Sequence, residues 1–284
     1  MKAKSMAVQE TRADRVFRTV VYAILGVLLV VYVYPLYFVV IASISDPNAV
    51  YNGEVLFYPA QITMEGYEEI FQYRELWVGY LNSVFYTVVG VLINITLTMM
   101  AAYALSRREM MLRGAILKLF MFTMFFGGGM IPSYLLVKDL KLLNTVWSLV
   151  LPGAISTWNL IITRTFLATS IPNELQEAAY IDGCNNIRFF LRIVLPNATT
   201  IIAVIGLFYA VDHWLSYWNA MLYITDETRY PLQLVLRDIL LKAEVALESA
   251  RSGEDSESAM AVVELLRISE SVKYIVVIAG TLPL

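Results

Sequence analysis

The sequence predicts an all-α integral membrane protein of six transmembrane helices. Three observations carry that reading. Of 284 residues, 58% are hydrophobic and 16% charged, where a soluble domain is about a quarter charged. The apolar residues are gathered into runs long enough to cross a bilayer, which takes roughly 20 of them. Basic residues mark one side of those runs, as they do at the cytoplasmic face of membrane helices.

Residues 1–19 read as a cytoplasmic N-terminal tail and 20–284 as one transmembrane domain. The first run, Val20 to Ile44, is too long for a signal peptide and has no small-residue cleavage site after it, so it reads as an anchored span. Met64 to Trp77 places Tyr67, Ile70, Phe71 and Trp77 near one helical face and reads as an outer helix on the membrane surface. The second run is Val78 to Leu105. The third, Leu117 to Val137, is interrupted by "FGGGMIP" (Phe126 to Pro132). That break either lets the span approach a neighbour or marks its outer end; the second is the preferred reading. The fourth run is Val146 to Phe166, with Trp158 and Asn159 read as core packing. The fifth, Ile193 to Ala210, continues through aromatic residues to Ile224. Residues 224–271 read as a long outer loop with a charged, mobile tip at Leu247 to Ala259. A sixth run starts near Val272 and has 13 residues up to Leu284, so it reads as a truncated span.

Charge orients the bundle. Twelve Lys and Arg lie in the tail (Lys2, Lys4, Arg12, Arg15, Arg18), after span two (Arg107, Arg108, Arg113, Lys118) and after span four (Arg164, Arg188, Arg192). The two short loops opposite hold Arg74, Lys138 and Lys141. Both ends of a six-span chain are then cytoplasmic. One cysteine, Cys184, and one histidine, His213, exclude a disulfide framework and leave no Cys/His metal cluster. No basic patch points to nucleic acid. No constellation of His, Cys, Ser and carboxylates points to an enzyme.

The stretch from Glu174 to Pro196, "ELQEAAYIDGCNNIRFFLRIVLP", is polar between apolar runs. Asn173 with Gln176 resembles a capping box, and Gly183 is a natural helix stop. Leu175, Ala178, Ala179 and Asp182 share a face whose small centre admits another surface. Asn185 or Asn186 can cap a second short helix, and Pro196 marks the start of span five. Physics alone leaves an amphipathic connector and a docking helix for a cytoplasmic partner equally open.

The spacing Glu177-Ala178-Ala179, Gly183, Ile193, Leu195-Pro196 resembles the "EAA" signature of binding-protein-dependent ABC importer permeases. "YLNSVFYTVVG" (Tyr80 to Gly90), "AAYALSRR" (Ala101 to Arg108), "GGGMIPSYLLVKDLKLLNT" (Gly127 to Thr145) and "YPLQLVLRDIL" (Tyr230 to Leu240) are similar to the sugar branch, of maltose type. Permeases for uronate-rich oligosaccharides such as alginate fragments look nearest. The resemblance implies the type I ABC importer permease fold in a bacterial inner membrane. It implies a second homologous permease, two ABC ATPase subunits that use ATP and Mg, and an extracytoplasmic sugar-binding protein; this chain itself holds no cofactor. It makes residues 173–183 the coupling helix, with Glu177, Ala178, Ala179, Asp182 and Gly183 at the ATPase. It also implies that an outer loop near Ile224 to Leu240 reaches the binding protein's cleft.

Sugars are held by aromatic faces and by Asn, Asp and Tyr. Asp212, Trp214, Tyr217, Trp218 and Asn219, at the end of span five, are candidates for a substrate path. An aromatic belt at the membrane interface is the competing reading of the rings, while an acid there faces a cavity or a polar partner rather than lipid. An ion-coupled secondary carrier is the rival function, with Asp212 as its one serious intramembrane acid.

Overall fold

The computed structural model describes residues 11–251 and, near the end, 274, 275, 277, 278, 280 and 281. Lys2, Lys4, most of the charged tip at 247–259 and the start of the sixth run lie outside the described residues. The chain forms two compact units, one of residues up to Gln72 together with those from Leu240 on, the other of Tyr73–Ile239. No strand occurs among the described residues.

In the first unit, α1 (Arg12–Ser43) starts with a reciprocal cap between Thr11 and Asp14. Side chains all round this helix are exposed from Val16 to Val33 apart from half-buried Val21; Tyr34, Phe38 and Val39 are half-buried, and only Ile41, Ala42 and Ser43 are buried. An apolar helix without a packed face suits lipid as its solvent. α2 (Pro47–Tyr51) is capped by Asp46, and the Tyr34 and Tyr37 hydroxyls donate to the carbonyls of Leu56 and Phe57 at 3.1 and 2.5 Å. α3 (Glu65–Gln72) is shorter than the expected surface helix. Trp77 is not part of it. The backbone leaves the helix at Tyr73, and Trp77 lies in the next one.

The second unit is built on α4 (Arg74–Ser106), at 33 residues the longest helix described. α5 (Arg113–Phe125) and α6 (Met130–Asp139) follow, bent by 115°. The third apolar run is therefore two helices rather than one continuous helix to Val137. A Cβ on Gly127 or Gly129 would meet nothing within 4 Å, so these glycines end α5 rather than admit a neighbour. The fourth run is also broken. α7 (Trp147–Val150) stops before Pro152 and Gly153, the latter at φ +77°, and α8 (Thr157–Ser170) starts afresh on a Ser156 cap. Asn159 is buried as expected, but Trp158 is 58% exposed rather than packed in the core. α9 (Asn173–Ile181) and α10 (Asn186–Phe189) lead through a π-helical turn, Phe190–Val194, into α11 (Leu195–Asn197). α12 (Thr199–Trp214) then departs at 79°. The long helix of the fifth run thus begins after Pro196, at Thr199. α13 (Tyr217–Tyr223) and a 3-10 turn (Glu227–Arg229) precede α14 (Leu232–Arg251). The expected long loop is therefore helical over 20 of its residues, Leu247 to Arg251 of the tip included.

α4 packs on α8 and α12. The core between them holds Met99, Leu160, Leu167, Phe189, Ile205 and Tyr209, all almost fully buried. A deep polar knot in it is the Tyr209 hydroxyl, 2.7 Å from Thr98 Oγ1 and accepting from the Ser156 N–H at 3.1 Å. Among the described residues, α1 and α4 are each long and apolar enough to cross a bilayer, and counting each bent pair as one span raises the number to four.

Candidate functional site

Two places gather the residues of interest, one on α9 and one at the junction of α12 and α13. α9 has no side-chain cap. Its N-cap is Pro172, and Asn173 is already helical. The expected capping box fails because Gln176 turns inward. It is 5% exposed, accepts from Arg107 Nη1 at 2.8 Å and donates to the Tyr180 hydroxyl at 2.7 Å. That hydroxyl donates to Asn186 Oδ1. The helix ends as its glycine foretold. Gly183 sits at φ +74°, its N–H donates to Tyr180 O at 3.0 Å, and the Cys184 N–H reaches Ala179 O at 2.8 Å. This paired closure is what a left-handed glycine permits at a helix C-terminus. Asn185, not Asn186, caps α10, accepting from the Arg188 N–H at 2.8 Å.

The two faces of α9 differ. Ala179 is buried against the chain's own core, where its small side chain lets the helix lie close. Glu177, Ala178, Asp182 and Gly183 are exposed. Leu175 is exposed beside them, with Ile181 at 87% and Ile187 at 70%. That outward face mixes apolar side chains with two carboxylates.

Arg107 follows α4 and is 7% exposed. Besides Gln176 it reaches Ser106 Oγ through Nε at 3.1 Å, and its guanidinium carbon lies 5.1 Å from the Tyr103 ring and 6.0 Å from that of Phe189. Burial pulls its pKa down, and Tyr103, Tyr180 and Glu109 pull it back. A guanidinium remains cationic in either case.

The second place is a cavity of about 320 Å³ lined by Asn94, Tyr209, Asp212, His213, Ser216, Trp218 and Asn219 among others. His213 is wedged against α4. A Cβ on Gly90 would lie 2.3 Å from its Nε2, so only glycine leaves room for the ring. That nitrogen is 3.0 Å from Asn94 Nδ2. Asn94 is 3% exposed, and its Oδ1 has no partner; the buried Ser216 Oγ has none either. Buried polar atoms are rarely left unpaired, and both of these belong to residues that line the cavity.

The chain is 38% identical, over 86% of its length and 83% of the relative's, to the polygalacturonan/rhamnogalacturonan transport system permease protein YtcP of Bacillus subtilis (strain 168). It is a sugar-type ABC transporter permease. The same family includes protein LplC of that organism, 34% identical over 99% of this permease and 92% of that chain. Residues 111–217 match the family described as binding-protein-dependent transport system inner membrane component. A solved structure of a bacterial ABC transporter involved in the import of the acidic polysaccharide alginate superposes with a TM-score of 0.82, at 28% identity over 96% of this permease and 95% of that chain. A permease of this family is not itself an enzyme.

In the permease, the residues singled out from sequence divide. Asp212, Trp218 and Asn219 meet at the cavity. Trp214 and Tyr217 are not among its lining residues. Trp214 is buried edge-on to Tyr80 at 5.7 Å, and Tyr217 lies under the Arg237 guanidinium at 5.8 Å. Asn94 and Ser216 were not singled out, because one Asn and one Ser near the middle of apolar runs give no signal of a shared cavity. Arg107 and Gln176 were missed for a related reason. The "SRR" ending α4 reads as a basic flank, and only the packing turns its first arginine inward. The segment Ile224 to Leu240 is not a free probing loop. Asn82 Nδ2 donates to the carbonyls of Thr228 and Tyr230, Tyr86 donates to that of Arg229, and Ser83 Oγ accepts from the Leu232 N–H at 2.8 Å.

Proposed function

We propose that this permease is one of two membrane subunits of an ATP-driven importer that moves an oligosaccharide into the cytoplasm by alternating access. The observation that carries the reading is α9. Its inner face is fixed to the chain's own core, and its outer face offers Leu175, Ala178 and Ile181 beside Glu177 and Asp182. A short helix with that face fits a partner's groove. Residues 173–183 are then the coupling helix, set on a cytoplasmic ATPase, with the N-terminus and the Arg-rich loops on the same side. Closure of the ATPase pair by ATP and Mg draws the two coupling helices together and tips the bundle from inward- to outward-facing. A second permease of the same family and an extracytoplasmic binding protein complete the machine.

The cavity at Asp212, Trp218 and Asn219 serves the sugar path. One aromatic face, one carboxylate, one amide and the unpaired atoms of Asn94 and Ser216 suit hydroxyl groups. For the cargo class, an acidic oligo- or polysaccharide such as alginate is favoured by the likeness to the alginate importer and to YtcP.

The test is uptake by proteoliposomes holding this permease, its partner permease and the ATPases, with the binding protein outside. Uptake of labelled uronate oligosaccharide that requires internal ATP and survives a protonophore is expected. Uptake that collapses with the ion gradient and ignores ATP would return the carrier reading, with Asp212 at its centre.

A further inference from the structure

We propose that Arg107 is a positioning residue that carries movement of α9 into α4, a role that rests on α9 being the ATPase contact. The side chain is rooted at the end of α4, on Ser106, and reaches both short helices: α9 through Gln176 and α10 through the face of Phe189. Those two helices are themselves joined, Gln176 to Tyr180 and Tyr180 to Asn186, so they form one body. Tyr103, also on α4, touches the same body through Asn186 at 3.4 Å, a long contact. The strong polar tie between α4 and that body is the 2.8 Å bond from Arg107.

The charge is the second argument. Arg107 is 7% exposed, and no carboxylate lies within ion-pair distance of it among the described residues. Its Nη2 has no partner. Burying a cation among neutral groups is costly, and an apolar side chain of similar volume would fill the space with less penalty. What the guanidinium adds is direction. A planar fork fixes several donors at set angles, so one side chain can hold three elements in register. A lysine keeps the charge but loses the fork. Stability alone does not explain this arrangement, whereas a stiff link of this kind suits transmission between two bodies.

The experiment uses the complete importer in proteoliposomes and reads sugar transported and ATP hydrolysed in the same sample. Arg107→Lys is expected to leave ATP hydrolysis within about twofold and to lower sugar moved per ATP about tenfold, within the range of ordinary coupling energies. Gln176→Leu, which removes the acceptor and leaves the guanidinium in place, is expected to lower that ratio by a similar factor. The proposal is overturned if transport and hydrolysis fall together by the same factor, if neither changes, or if Gln176→Leu leaves the ratio at its wild-type value. Failure of the wild-type ATPases to co-purify with the permease would instead remove the importer reading itself.

Discussion

The two ends of α4 are closed in different ways. Near its start, Asn82, Ser83 and Tyr86 reach main-chain groups of Thr228 to Leu232. Gly79 lets the start of α14 approach so closely that a Cβ would lie 2.9 Å from Val235 Cγ2 and 3.3 Å from Leu232 Cα. Near its end, Arg107 and Tyr103 meet side chains, and the body they hold keeps an apolar face outward. The first closure ties down the backbone of an irregular turn and satisfies the N–H of Leu232, which is buried there. The second joins two helices whose backbones are already satisfied. One end is therefore stabilised as a fixed joint. In the proposed importer, the other moves as a unit and binds the ATPase.

Substitutions at the two ends break or sharpen that contrast. The largest effect is expected for Gly183→Pro. Proline cannot adopt φ +74° and removes the N–H that reaches Tyr180 O, a loss of about 3 kcal/mol or more at the α9 terminus. Transport is expected to vanish while the chain still inserts; normal uptake by a well-expressed variant would refute the coupling role. Ser83→Ala comes next. It strips the buried Leu232 N–H of its acceptor, costing about 1–3 kcal/mol. Its thermal unfolding midpoint in detergent is expected to fall, while sugar moved per ATP stays unchanged; a changed ratio would show that the start of α4 is not merely a fixed joint. The smallest change in stability is expected for Glu177→Ala, which lies exposed and should shift stability by no more than about 0.5 kcal/mol. Its ATP-driven uptake is nonetheless expected to drop. Equal loss of uptake and stability would mean the residue acts inside the fold rather than at a partner.

Much of this was legible in the chain. Apolar runs announced α1 and α4, because a helix of about 20 such residues is what a bilayer demands. Gly183 announced the end of α9, because a left-handed stop is a local property. Leu232, Val235 and Leu236 even carry the i, i+3, i+4 spacing that marks α14. Reading residues 224–271 as a loop passed over that spacing, although so long a structureless connection is uncommon in a compact fold.

The sequence by itself therefore determined that this is a helical membrane protein, where α4 runs, and where α9 stops. Tertiary structure alone decided that Asp212 shares a cavity with Asn94, and that Arg107 and Gln176 turn inward. The physical reason is one of range. Hydropathy and capping are properties of neighbours along the chain. Apolar runs without a polar face carry no phase to say which side is buried. The burial of a polar group depends on what meets it from far along the chain, as Gln176 meets Arg107, 69 residues away.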